Sequence, residues 1–145
     1  MSNESAVLQT LFESWISLAL EYAHGAPHLG GIYLYASSER GMRFANVYYD
    51  QGGTIKHPGD VQGIDGTRAR IRHVQNLLVD ELLSAEKELA TINIPKPTEY
   101  RVHFDPPTRK LDVQLSREDI YGANSDRSPI HGIEYWLGDR APTLY

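Results

Sequence analysis

The chain has 145 residues, 41% apolar and 23% charged, with a formal charge of −5 and no cysteine. That composition excludes a disordered chain, and the length suits one domain, residues 1–145, burying roughly two-thirds of its unfolded surface. Disulfides and thiolate-held zinc are excluded, general nucleic-acid binding is disfavoured by the acidic balance, and no apolar run approaches the ~18 residues of a membrane span.

Met1-Ser2-Asn3-Glu4 lacks the basic start of a secretory leader, so a cytoplasmic location is expected. From Glu4 to His24, Leu8, Leu11, Phe12, Trp15, Ala19 and Tyr22 recur at three- and four-residue spacing, with Ile16 and Leu20 beside them. This predicts an amphipathic helix capped by Asn3 or Ser5 and stopped at Gly25 and Pro27. Ile32–Ser37 and Met42–Tyr49 predict a hairpin around Ser38-Glu39-Arg40-Gly41, with Ser37 opposite Met42, Ile32 opposite Val47 and Leu34 opposite Ala45. Asp50 to Gly66 holds five glycines and one proline, so it reads as loop, apart from a short strand at Thr54–Lys56. Asp65 reads as the cap of a long helix running to about Thr91, with Ile71, Val74, Leu78, Leu82, Ala85 and Leu89 as its buried stripe.

After the stiff connector Ile94–Thr98, the segment Glu99–Leu115 predicts a second hairpin around the turn Asp105–Arg109. Closing Asp105 on Lys110 sets Phe104 opposite Leu111, Val102 opposite Val113 and Tyr100 opposite Leu115. The other face then pairs His103 with Asp112 and Arg101 with Gln114. Apolar groups meet apolar groups, and a one-residue slip would undo the match, so one buried and one wet face are expected. Ser116–Asp126 reads as irregular. Ser128-Pro129 opens a short terminal helix with Ile130, Ile133, Trp136 and Leu137 on one face, ending at Gly138. The order predicts an α+β fold: a mostly antiparallel sheet of two hairpins, with an N-terminal, a long central and a short C-terminal helix on one face.

Reactive constellations are sparse. His24 and His28 have metal-ligand spacing, but Gly25 and Pro27 between them break the helical turn that would align them. His57 lies in a glycine-rich loop. His103 facing Asp112 is half of an acid–base pair or an ordinary cross-strand polar pair. Neither a nucleophile elbow nor a phosphate loop is present. Arg68, Arg70, Arg72 and His73 crowd the start of the long helix, against its dipole; they read as a small anion or partner site, or as cations neutralised from elsewhere in the fold. Two surfaces suit a macromolecular partner. Tyr33, Tyr35 and Phe44 share one face of the first hairpin and form either a second core face or an exposed anchor patch. Ser116–Asp139 sets Glu118, Asp119, Asp126, Glu134 and Asp139 against Arg117 and Arg127, net −3, with Tyr121 among them.

Several motifs carry a family likeness: Pro97-Thr98-Glu99-Tyr100-Arg101-Val102, Phe104-Asp105 and Thr108-Arg109-Lys110-Leu111-Asp112-Val113; Tyr33-Leu34-Tyr35-Ala36 with Phe44; and Ile133-Glu134-Tyr135-Trp136-Leu137. In these motifs, and in element order along nearly the whole chain, the sequence resembles the YezG-like immunity proteins, antitoxins that neutralise secreted bacterial nuclease toxins. It departs from that pattern at Arg109, where glycine is expected, and at Leu111, where phenylalanine is expected. The resemblance implies a non-enzymatic protein without cofactor, metal or catalytic residues, acting in the cytoplasm on one cognate toxin as a monomer or weak homodimer. Tyr33, Tyr35, Phe44, Glu118, Asp119, Tyr121 and Asp126 are the expected contact residues. The alternatives are an adaptor domain that dimerises through its hairpin aromatics, and a small hydrolase using His103 and Asp112.

Overall fold

The computed structural model describes residues 3–122 and 125–142; Met1-Ser2 and the Ala123-Asn124 step of the acidic stretch lie outside them. Helix α1, Glu4–Tyr22, starts at Asn3, whose side chain accepts a hydrogen bond from the Ala6 amide at 2.9 Å. Strand β1 spans Leu29–Glu39 and β2 spans Met42–Gln51, joined by Arg40 (φ 51°) and Gly41 (φ 76°). Two consecutive positive φ angles make a two-residue primed turn, whose twist matches that of the strands. Ser38 and Glu39 therefore extend the strand, and the pairing differs from expectation: Glu39 faces Met42, Leu34 faces Val47 and Ile32 faces Tyr49. The offset is two residues, so every side chain keeps its predicted face.

Strand β3 is Thr54–Lys56. Helix α2, Arg68–Thr91, is capped by Thr67, whose hydroxyl accepts from the Arg70 amide, and not by Asp65. Asp65 instead offers its carbonyl to the Arg70 guanidinium. Strands β4, Glu99–Asp105, and β5, Lys110–Ser116, pair in the predicted register at all six expected positions, and Glu99 opposite Ser116 adds a seventh. Described residues form a five-stranded antiparallel sheet in the order β3-β2-β1-β4-β5, with β1 joining the two hairpins.

The even-numbered side chains of β1 meet α1 and α2. Leu11, Trp15, Leu78, Leu82 and Leu89 pack there against Ile32, Leu34, Val47, Tyr100 and Val102. The Trp15 indole donates to the Leu78 carbonyl at 2.9 Å, tying the two helices together. Glu86 of α2, only 8% exposed, is held by Arg43 at 2.6 Å and by the Ser38 hydroxyl at 2.6 Å. A buried carboxylate is tolerable only with such partners, and these fix α2 on the first hairpin.

The opposite face of β1 is also covered, contrary to the expectation of helices on one side only. Helix α3, Gly132–Leu137, lies across Tyr33, Tyr35 and Tyr48, with Ile133 fully buried and Trp136 and Leu137 packed at the margin. Ile130, expected on the same apolar face, is exposed because it belongs to the single turn Pro129–His131 that precedes the helix. Edge strand β5 departs from expectation in the other direction. Leu111, Val113 and Leu115 are 41%, 36% and 36% exposed, because α1 leaves the sheet edge uncovered.

The seat of α3 depends on Gly132. A Cβ there would overlap the Tyr35 ring, and Tyr35 is fixed by its own hydrogen bonds. In an open helix alanine would gain about 1 kcal/mol over glycine, whereas overpacking a fixed ring costs about 1–3 kcal/mol. Gly132→Ala is therefore expected to lower the urea midpoint and to red-shift fluorescence as Trp136 loosens. An unchanged or raised midpoint would contradict this seating of the helix.

Candidate functional site

Beyond β5 the chain turns back along the end of the sheet, held residue by residue. Thr98 donates its hydroxyl to the Glu118 carbonyl at 2.6 Å, and the Glu118 amide donates to the Ser116 hydroxyl at 3.1 Å. Arg117 pairs with Glu4 at the start of α1 and donates to the Pro95 carbonyl. The amides of Ile120 and Tyr121 both donate to the carboxylate of Glu39, the last residue of β1, at 3.3 and 3.1 Å. Glu39 is only 7% exposed, so its charge is satisfied by these two amides and by Arg40 at 3.3 Å.

A second anchor lies one strand residue pair inward. The Tyr35 hydroxyl donates to Glu99 at 2.6 Å and shares a 2.5 Å hydrogen bond with the Tyr121 hydroxyl. Glu99, buried like Glu39, also lies 3.2 Å from the Arg101 Nε. Two buried carboxylates at the ends of β1 and β4 thus pin the stretch from Ser116 to Gly122 onto the sheet. Charge-assisted bonds of this kind are stronger than neutral ones, and they preorder what the segment displays.

What it displays differs in part from expectation. Glu118 is exposed on it, and Asp126 is exposed beyond the undescribed Ala123-Asn124. Asp119 forms an ion pair with Arg40 at 2.8 Å, and that hydrogen bond, followed by one involving Glu39, holds its carboxyl below the usual carboxylate range. Tyr121 is half-buried and serves as anchor. Tyr33 and Tyr35 are 5% and 1% exposed under α3, so they are core and not partner-facing, with the half-buried Phe44 beside Tyr35. The tyrosine face is a second core face because the terminal helix folds over it.

That helix also creates a cleft of about 380 Å³ against the outer face of β4 and β5. His103 stacks on Tyr33 at 4.4 Å, Trp136 meets Tyr33 edge-on at 5.6 Å, and Arg140 donates to the Tyr33 hydroxyl at 2.8 Å. Arg101, Asp112, Val113, Gln114 and Leu137 complete the walls. His103 and Asp112 are register partners here, and the walls carry no serine, threonine, cysteine or lysine. Arginine, tyrosine and tryptophan in one recess are residues that dominate binding energy at interfaces.

The cationic start of α2 has a structural use. The Arg70 guanidinium donates to the Tyr22 carbonyl at 2.9 Å and lies 4.6 Å from the centre of the Tyr22 ring, locking α1 to α2. Among the described residues, no group of three or more histidines and carboxylates could hold a metal ion. No helix formed by them is long and apolar enough to cross a membrane. Glu39 and Glu99 carry no local mark as anchors, since their partners lie 82 and 64 positions away. Arg140 is equally unmarked, because its partner Tyr33 lies 107 positions away. Compared with known proteins, the chain matches no family model and no curated sequence.

Six of the nine tyrosines in the chain, Tyr22, Tyr35, Tyr48, Tyr49, Tyr100 and Tyr121, have phenols held above their ordinary value, chiefly by burial. Tyr48 is pushed up to about 12; for Tyr35 the hydrogen bond to Glu99 adds to the effect of burial. Unfolded phenols ionise near ~10, so the folded state binds protons more tightly, and this contribution is complete below pH ~10 and lost as pH rises beyond it. Tyrosinate absorbance is expected to rise mainly together with loss of circular dichroism above that pH. Titration of all phenols with the fold intact would contradict this burial.

Proposed function

We propose that this chain is a non-enzymatic immunity protein that binds and neutralises a cognate nuclease toxin in the cytoplasm of the cell that makes both. The reading rests on the likeness to YezG-like immunity proteins and on one structural observation, the anchored acidic segment. Glu118 stands exposed on a stretch, Ser116 to Gly122, whose backbone is fixed by Glu39 and, through Tyr121 and Tyr35, by Glu99, and Asp126 is exposed further along the chain. A nuclease carries basic groups that grip phosphates. Carboxylates held on a rigid support can occupy those groups with little ordering cost, and an overall charge of −5 steers the encounter. The cleft walled by Trp136, Arg140 and Arg101 lies on the same side of the sheet and can receive a side chain of the partner.

The cleft beside His103 and Asp112 is the one feature that favours the hydrolase alternative. Its chemistry suits binding better. His103 lies flat on Tyr33, the Tyr33 hydroxyl is engaged by Arg140, and the walls offer no serine, threonine, cysteine or lysine for His103 to activate. The adaptor alternative loses its anchors, because Tyr33 and Tyr35 are buried.

The gene adjacent to this one is expected to encode a nuclease whose activity disappears on adding one equivalent of this protein. A Glu118→Lys/Asp126→Lys variant is expected to associate about tenfold more slowly, with a flatter salt dependence, because steering acts on the on-rate. An unchanged on-rate would remove the electrostatic part of the mechanism. A neighbouring nuclease left fully active by the wild-type protein would overturn the assignment.

A further inference from the structure

Strand β5 is a sheet edge, and its first-face residues Leu111, Val113 and Leu115 are among the large apolar side chains that the described residues leave exposed. Beside Leu111 an apolar groove of about 440 Å³ opens between β5 and α1, walled by Leu8, Phe12 and Ile16. An uncovered edge with an apolar row is a template for another strand, and native proteins usually blunt such edges. We propose that β5 pairs antiparallel with β5 of a second copy of this chain, joining two sheets across a twofold axis at Val113.

The sequence of the strand selects this occupant. Lys110–Ser116 has Val113 at its centre, so the register that uses the whole strand places Val113 opposite Val113 of the second copy. Leu111 then faces Leu115, Leu115 faces Leu111, and Asp112 faces Gln114, with no like charges directly opposed. Shifting the register by one step of two residues the other way sets Asp112 against Asp112. The only charges on the strand are Lys110 and Asp112, which cancel, whereas each copy as a whole carries −5. The edge is thus an electrically neutral strip on an acidic protein. In this pairing Leu115 of the second copy lies next to Leu111, over the mouth of the groove beside α1. One strand pair and a groove make a small interface, so dissociation in the micromolar range is expected. The pairing is independent of the nuclease assignment, and its salt response has the opposite sign: screening two bodies of −5 each strengthens self-association, while it weakens capture of a basic partner.

The chain has no cysteine, so a single Val113→Cys substitution gives a clean probe. Opposed antiparallel residues lie about 4.5–5.5 Å apart between Cα atoms, within the roughly 4.4–6.8 Å that a disulfide spans. Under mild oxidation Val113→Cys is expected to form a disulfide dimer much faster than Gln114→Cys, which lies off the axis on the other face. In sedimentation of the full chain, the mass of the wild type is expected to rise with concentration and with salt, while Val113→Lys stays monomeric with an unchanged circular-dichroism spectrum. A wild type that is monomeric at every concentration, equal cross-linking rates for the two cysteine variants, or a dimer that survives Val113→Lys would each overturn the proposal.

Discussion

Strand β1 is buried on both faces from Gly31 to Glu39, and the rest of the molecule answers that constraint. A central antiparallel strand with apolar groups on alternate positions needs one cover. A strand whose other positions are Tyr33, Tyr35, Ser37 and Glu39 needs a second cover that can also satisfy polar atoms. Helices α1 and α2 supply the first with Trp15, Leu78 and Leu82. The carboxy-terminal third supplies the second: Ile133 for bulk, Arg140 for the Tyr33 hydroxyl, Tyr121 for the Tyr35 hydroxyl and two backbone amides for Glu39.

The same constraint links fold to proposed function. Because Glu39 and Glu99 need partners, the stretch after β5 cannot drift into solvent. Because that stretch is fixed, its outward-facing groups are presented in one arrangement. Under the proposed function, a partner would meet a surface that the core already holds in place. Strand β5 carries residues of both proposed contacts: Asp112 and Gln114 in the wall of the cleft, and Leu111, Val113 and Leu115 along the exposed edge.

Much of this was legible in the sequence wherever partners are close along the chain. Residues Glu99–Ser116 specify their own register, because each cross-strand pair matches in polarity and the turn is short. The stripe of α2 was equally plain. The first hairpin pairs two residues away from the register that its pattern predicts, because a primed turn at Arg40-Gly41 depends on an arginine adopting a positive φ, which composition does not announce. The exposure of Leu111, Val113 and Leu115 and the burial of Tyr33 and Tyr35 share one cause. Alternation says that a face is apolar, but strand order and helix placement decide which face is covered. The anchors Glu39 and Glu99 were hidden for the same reason, since exposed and buried carboxylates look alike until distant segments are brought together.

The account depends most on the anchoring of the acidic segment by Glu39. Backbone hydrogen exchange measures it directly. The amides of Ile120 and Tyr121 are expected to be protected to an extent approaching that of β1, and Glu39→Ala is expected to abolish that protection while leaving the centre of β1 slow to exchange. Rapid exchange of both amides in the wild-type protein would contradict it.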